Sequence, residues 1–336
     1  MKKTVPLYEE SSCVVVAGAE SGYNSWPFLR AIGRRLVCVY SRGSEHSIEE
    51  PSRGVYAKIS DDAGKTWSPE VTVCNSPSGG EIAESTGLDR DGAMLLFVRF
   101  TGESSTHHLY RTCDGLHFEK ITTLALAPVP MQLMDIVSLR SGTLMSLWFA
   151  GDYKKGVGCW GTLFSEDNGR SWHQKTAESD LPQNQWPTEH SAVIADDGRI
   201  LAIARTEVRA PSPEVPHQFQ LESADNGRSW RKSYTNISDV RASTPALLLD
   251  RSGGLLSNYY YERNAGILKR RTAKFDAVWG HPEAWSEWES ITTASTDDYH
   301  AGNVKAIAYG NRHILAFYSG NRTNTAILTL SVPAPV

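Results

Sequence analysis

Several things are scarce in this chain of 336 residues, and each scarcity excludes something. No run approaches eighteen apolar residues, so no membrane-spanning helix is expected. The opening residues, Met1 to Glu10, lack the apolar segment of a secretory leader, so no signal peptide is expected. There are five cysteines, Cys13, Cys38, Cys74, Cys113 and Cys159, an odd number with no Cys-x-x-Cys pair. They point to neither a disulfide framework nor a zinc site, and no histidine group has metal-ligand spacing. Neither a metal nor a cofactor is therefore expected. Basic residues form no stripe: 34 Lys and Arg are mixed among 38 Asp and Glu, for a net charge of −4. That argues against nucleic acid as a partner, and an acidic ligand would have to be held by a few placed arginines. No linker-like or low-complexity tract divides the chain, so one domain is expected over residues 1–336.

What is present is a repeat. Ser60-x-Asp62-x-Gly64-x-Thr66-Trp67, Ser165-x-Asp167-x-Gly169-x-Ser171-Trp172 and Ser223-x-Asp225-x-Gly227-x-Ser229-Trp230 share one pattern. A worn copy reads Thr112-x-Asp114-Gly115-x-His117-Phe118, and the aspartates fall 52, 53 and 58 residues apart. Each copy reads as a hairpin clasp: Asp accepts from backbone N–H groups, Gly supplies a positive φ, and Trp closes over its own strands. A repeat of this period with all-β flanks favours a propeller. Length over period gives six blades of about 56 residues. Leu36–Tyr40, Ala93–Val98, Gly142–Trp148, Ile200–Ala204, Gly254–Asn258 and His313–Tyr318 read as the same strand in successive blades. The apolar stretches at Cys13–Ala17 and Ala326–Val332 are expected to pair and close the last blade.

These repeats are Asp-boxes, and with them the chain resembles the sialidase (neuraminidase) superfamily. The resemblance implies an all-β, six-bladed β-propeller with the boxes at its periphery, away from the catalytic cup. It also implies site residues. Thr188-Glu189, a strand, the turn Asp196-Asp-Gly198 and a second strand ending at Arg205 match the arrangement by which sialidases bring a site glutamate beside a carboxylate-clamp arginine. Tyr259-Tyr-Tyr-Glu-Arg263 falls where the family has a second clamp arginine. Two guanidiniums can grip a sugar carboxylate, at about 1.5–3 kcal/mol per charged hydrogen bond, and fix the anomeric carbon near Glu189.

The first blade departs from common exosialidases. Ser25, in Tyr23-Asn-Ser-Trp-Pro27, stands where the third clamp arginine belongs, and no acid/base Asp follows Arg42. This string and the following Gly43-Ser-Glu-His46 are similar to the first blade of the bacteriophage endosialidases, which cut polysialic acid within the chain. That similarity implies Glu189, Arg205, Arg263, Tyr23 and His46 as the working set, with Arg42 counted among the substrate contacts. His46, with an ordinary pKa near 6.5, would serve as acid, with Glu45, Glu49 or Glu50 as alternatives. The expected partner is a sialylated or other acidic glycan. Three alternatives stand beside this reading. Tyr299 and Tyr318 lie at the spacing of an exosialidase nucleophile and its arginine-bracing Glu, so Tyr299 could be the nucleophile of a retaining exo-acting enzyme, with Tyr318 as a substrate contact. The chain could be a glycan-binding propeller without catalysis. It could also be a hydrolase or lyase for another acidic sugar, such as Kdo or a uronate. His107, His108 and His190 could line the cup, and Tyr259 or Tyr261 could stack on a sugar ring.

Overall fold

The computed structural model describes residues 6–48, 50–207, 217–240, 243–250, 254–263, 265–293 and 300–335. Among these, regular structure is almost entirely β, with one short helix, α1 (Phe275–Val278). No helix among the described residues is long and apolar enough to cross a membrane.

The strands form antiparallel meanders. After β1 (Val14–Ala17), the first is β2 (Tyr23–Ile32), β3 (Arg35–Gly43), β4 (Gly54–Ser60) and β5 (Val71–Cys74). The second is β6 (Gly80–Leu88), β7 (Met94–Thr101), β8 (Ser105–Thr112) and β9 (Glu119–Leu124). In the third, two short pieces, β10 (Gln132–Leu133) and β11 (Val137–Ser138), pair with β12 (Leu144–Asp152), followed by β13 (Val157–Ser165) and β14 (His173–Pro182). The fourth is β15 (Pro187–Ile194), β16 (Ile200–Thr206), β17 (Phe219–Ser223) and β18 (Arg231–Tyr234). The fifth is β19 (Ala246–Asp250), β20 (Leu255–Glu262), β21 (Ile267–Lys274) and β22 (Glu289–Thr293). The last is β23 (Ala301–Tyr309), β24 (Arg312–Gly320) and β25 (Thr325–Pro333), completed by β1. The Cys13–Ala17 and Ala326–Val332 stretches thus pair, with Val14 opposite Thr329. A parallel bridge between Tyr23 and Thr325 joins the last meander to the first in one eight-stranded sheet.

The six runs expected to be equivalent fall on β3, β7, β12, β16, β20 and β24, the second strand of each meander. These strands are buried on both faces, which is why they read as apolar runs without polar alternation. Their period of two divides them between neighbours. On β3, Val37 and Val39 pack with Ile82, Leu96 and Val98 of the second meander, while Leu36, Cys38 and Tyr40 pack with Ile314, Ala316 and Tyr318 of the last. The first strands line a cavity of about 330 Å³, with residues from every meander such as Leu29, Gly87, Val137, Val193, Leu248 and Ala306.

All four Asp-boxes lie in the turn between third and fourth strands. In the first, Asp62 accepts from Thr66 N at 2.9 Å and Thr66 Oγ1 at 2.6 Å, and Ser60 Oγ accepts from Gly64 N at 2.8 Å. Ala63, Asn168 and Asn226 share the positive φ of the glycine that follows them. Trp172 and Trp230 close over their own turns, donating from Nε1 to Gly169 O at 3.0 Å and to Gly227 O at 3.1 Å. They also reach further than expected: Trp172 packs on Phe97 and Trp230 on Trp160, each on the preceding meander. The boxes are staples between neighbours. Gly115 has φ +73, and a Cβ there would lie 2.5 Å from Val37 Cγ2 and 2.9 Å from Ile59 Cγ2. Gly115→Ala is expected to cost about 2–4 kcal/mol in urea unfolding, from left-handed strain plus overpacking.

The staples also titrate. Hydrogen bonds from the Thr66 hydroxyl, the Thr66 N–H and Ser60 hold Asp62 at about 2. Burial pushes Asp167 and Asp225 up, but the Ser171 and Ser229 hydroxyls and N–H groups outweigh it and hold both at about 2. A carboxyl group whose folded pKa is depressed contributes stability above its unfolded value near 3.9, and loses it as pH falls through the folded value. Unfolding stability should therefore drop between about pH 4 and pH 2, and Asp167→Asn should flatten that slope.

Candidate functional site

Bulges build the site. The first strand of four meanders breaks register, between Ser25 and Phe28, Ala83 and Ser85, Thr188 and Ser191, and Gly302 and Lys305. Each break re-aims a side chain, and Trp26, Glu84, Glu189 and Asn303 all line one cleft of about 240 Å³. Trp26, Glu189 and Asn303 pay for this with φ of 49°, 48° and 47°, a conformation that costs a non-glycine residue about 1–3 kcal/mol. Strain at three residues facing one cleft makes it the candidate site. Gln132, His46, Arg99, Tyr153, Arg205 and Arg263 complete its polar lining.

Glu189 and Arg205 meet as the sequence pattern implied. Arg205 Nη1 donates to Glu189 Oε2 at 2.9 Å, and Thr244 Oγ1 donates to the same oxygen at 2.8 Å. Burial pushes the Glu189 pKa up, but Arg205, the Thr244 hydroxyl and the Arg263 charge outweigh it and hold it below the ordinary value. Glu189 is thus ionised at neutral pH and can accept a proton or a hydrogen bond. The far side of Arg205 is held by Glu207, at 2.9 and 3.2 Å. Arg263 donates from Nη2 to Asn303 Oδ1 at 3.1 Å, with Tyr318 OH 3.5 Å from the same nitrogen. Gly302, at φ +123, leaves room for this guanidinium: a Cβ there would lie 3.3 Å from Arg263 Nε.

Tyr23, His46 and Tyr318 gather beneath the arginines. Tyr23 OH lies 2.8 Å from His46 Nδ1 and 3.0 Å from His300 Nδ1. Tyr318 shares a hydrogen bond with the same hydroxyl, which donates once, so at least one of the two rings donates to Tyr23. The Tyr318 ring lies edge-on to that of Tyr23, with centroids 6.4 Å apart. Burial, with the Arg263, His300 and Arg53 charges adding to it, pushes His46 down to about 4. That corrects the expectation of an imidazolium acid near its ordinary pKa, since His46 is uncharged at neutral pH. Glu50 is no better an acid. Burial raises its pKa, but hydrogen bonds from Ser52 and Ser44 and the Arg53 charge leave it depressed. Glu45 is exposed, and Glu49 and Tyr299 lie outside the described residues.

Other expectations need correction. Arg42 is not in the cleft: its guanidinium pairs with both oxygens of Glu70, donates to Asn24 Oδ1 at 2.9 Å and covers the Tyr56 ring. His190 is buried against Trp160 and Phe149, and His108 bonds Thr123 Oγ1 at 3.0 Å, outside the cleft lining. Tyr259, Tyr260 and Tyr261 are all buried. Tyr259 and Tyr261 pack toward the last meander and Tyr260 toward the fourth, so none stacks on a ligand.

Two features were not read from the sequence. Arg53 is fully buried. It donates to Glu45 O, to Ser47 O at 2.8 Å and to Ser25 Oγ at 3.2 Å, and lies over the Trp26 ring at 4.7 Å. It ties down the loop that carries His46, from beside the serine that stands where a clamp arginine was expected. The second feature is Glu84. Its Oε2 lies 2.7 Å from His107 Nδ1, and His107 Nε2 lies 3.1 Å from Pro130 O. Pro130 O can only accept, so His107 carries a hydrogen on Nε2 and shares another proton with Glu84. A buried lone Glu would have been unremarkable, and only its convergence with the bulges reveals it.

The chain belongs to the BNR repeat-like domain family, whose model matches residues 54–332. No curated protein sequence matches it. Its fold is similar to that of a protein of unknown function from Dyadobacter fermentans, at TM-score 0.77 and 15% identity over 99% of this chain and 100% of that one. It is also similar to the Hadza microbial sialidase Hz136, at TM-score 0.72 and 15% identity over 96% of this chain and 68% of the other. For the Trypanosoma rangeli sialidase in complex with sialic acid, the values are 0.66 and 13%, over 98% and 56%. The chain thus spans little more than half of the trypanosomal enzyme. At these identities the likeness is one of fold, shared with sialidases.

Proposed function

We propose that the six meanders are the blades of a single six-bladed propeller domain, and that its cleft hydrolyses the ketosidic bond of a sialic-acid-type sugar. The observation that carries this is the strained, ionised Glu189 held against Arg205 in a cleft that also receives Arg263. A substrate carboxylate would be gripped by Arg205 and Arg263, which sets the anomeric carbon within reach of Glu189. Glu189 then takes the proton of the attacking group as the ketosidic C–O bond breaks, and the leaving oxygen takes a proton from the Tyr23–His46 side of the cleft or from water. In the endosialidase-like path that group is water. The meeting of Tyr23 and His46 at 2.8 Å supports this path, because His46–Tyr23–His300 forms a chain along which a proton can move without a stable imidazolium. In the exo-acting retaining path the attacking group is the Tyr299 hydroxyl.

The test is product analysis after incubation with polysialic acid and with 2,3-linked sialyl-lactose. Short oligomers from the polymer alone support endo cutting, and free sialic acid from the lactoside brings Tyr299 forward. No product from either, with polymer still retained on a gel, overturns the hydrolase reading and leaves a glycan-binding propeller. An absence of both product and retention points to another acidic sugar.

A further inference from the structure

The cavity lined by the first strands holds charge that the cleft does not use. Its ionisable lining residues are Arg30 on β2, Asp135 between β10 and β11, and Lys305 on β23, and it shares no lining residue with the cleft. Asp135 Oδ1 is 3.6 Å from Arg30 Nη2 and 3.7 Å from Lys305 Nζ. Both separations are too long for a hydrogen bond. Arg30 Nη2 donates instead to Thr86 O at 2.7 Å, and Arg30 Nε is buried with no partner among the described residues. Lys305 is only 7% exposed, and its Nζ likewise has no hydrogen-bond partner among the described residues. The Phe28 ring lies 5.2 Å from this Nζ and can attract the charge, but it satisfies none of the three N–H bonds. Burying an ammonium in that state is costly. Two cations share one distant carboxylate, so the cavity is net positive around a volume of about 330 Å³.

We propose that this cavity binds a small inorganic anion, a halide or a phosphate-type oxyanion. Lys305 Nζ and Arg30 Nε supply the donors. Arg30 Nη2 and Lys305 Nζ both lie within 3.7 Å of Asp135 Oδ1, and Nε belongs to the same guanidinium, so the two cations face one region of the cavity, with Asp135 opposing an anion there. Arg30 belongs to the first meander and Lys305 to the last. The bound ion therefore reinforces the packing of β2 against β23, where the first and last meanders meet.

The test is urea unfolding of the full chain with sodium chloride or sodium phosphate titrated separately, ionic strength being held constant with a bulky sulfonate salt. Stabilisation should saturate, and at ten times the dissociation constant the unfolding constant should fall about elevenfold. The salt that saturates at the lower concentration identifies the ion class. Lys305→Met should abolish the saturable part. Asp135→Asn removes the opposing charge and should tighten anion binding several-fold, so the two substitutions act in opposite directions. A non-saturable gain that persists in Lys305→Met would overturn the proposal and leave the cavity to water. If Lys305→Met does not fold, Asp135→Asn decides alone: unchanged or weaker anion binding overturns the site.

Discussion

Glu189→Gln should lower turnover by about 10²–10⁴-fold, the range for loss of a positioned base, while leaving the fold intact. Glutamine keeps an oxygen for Thr244 Oγ1, and Arg205 keeps its ion pair with Glu207, so no buried charge is orphaned. The wild-type pH profile carries a linked expectation. Glu189 must be ionised to act, and its pKa lies below the ordinary carboxylate value because Arg205, Thr244 and Arg263 outweigh burial. Activity should stay level through neutral pH and fall only below about pH 4.5. His46, held at about 4, adds no titration near pH 6 to 7. An inflection near pH 6.5 that vanishes in His46→Ala would contradict this assignment.

Arg53→Met should cost about 3–5 kcal/mol in urea unfolding, the largest stability effect expected of any single substitution in the site. Removing the guanidinium strips the carbonyls of Glu45 and Ser47 and the Ser25 hydroxyl of their donor, and leaves the Glu50 carboxylate, 3.9 Å away, without its counter-charge. Methionine roughly keeps the volume beneath Trp26, so the loss reports hydrogen bonds and charge more than a cavity. Arg53→Lys keeps the charge but not the fork, and should recover only part of the stability. A loss under 1 kcal/mol for Arg53→Met would show that the His46 loop is held by other contacts.

The parts of this molecule that sequence reading reached are those written in short, local patterns. Each Asp-box closes its own ring of hydrogen bonds within a few residues, so its spacing survives in the sequence. Glu189 and Arg205 are legible because strand, turn and strand return the chain to its starting height. Arg53, Glu84 and Asn303 are not legible. What brings them to the cleft is the stacking of separate meanders and, for Glu84 and Asn303, a bulge in an innermost strand that no residue type announces. Arg42 was misread for the same reason in reverse. Its partner Glu70 lies beyond an intervening Asp-box, and only the pairing of β3 with β4 and of β4 with β5 brings the two together. An ordinary pKa for His46 was the wrong expectation, since a histidine in the cleft has its pKa lowered by desolvation and by nearby arginines. The tryptophans' second contact, onto the preceding meander, was not legible because a repeat seen one copy at a time hides its neighbour.

The most direct test of the central claim is calorimetric binding of a 2,3-dehydro sialic acid and of its carboxyl methyl ester to the wild type and to Arg205→Met and Arg263→Met. The account predicts that the wild type binds the free acid, that each substitution weakens binding about tenfold or more, and that the ester, whose charge is gone, binds poorly to all three. Equal affinity for acid and ester, or binding indifferent to both arginines, would contradict a carboxylate clamp in this cleft.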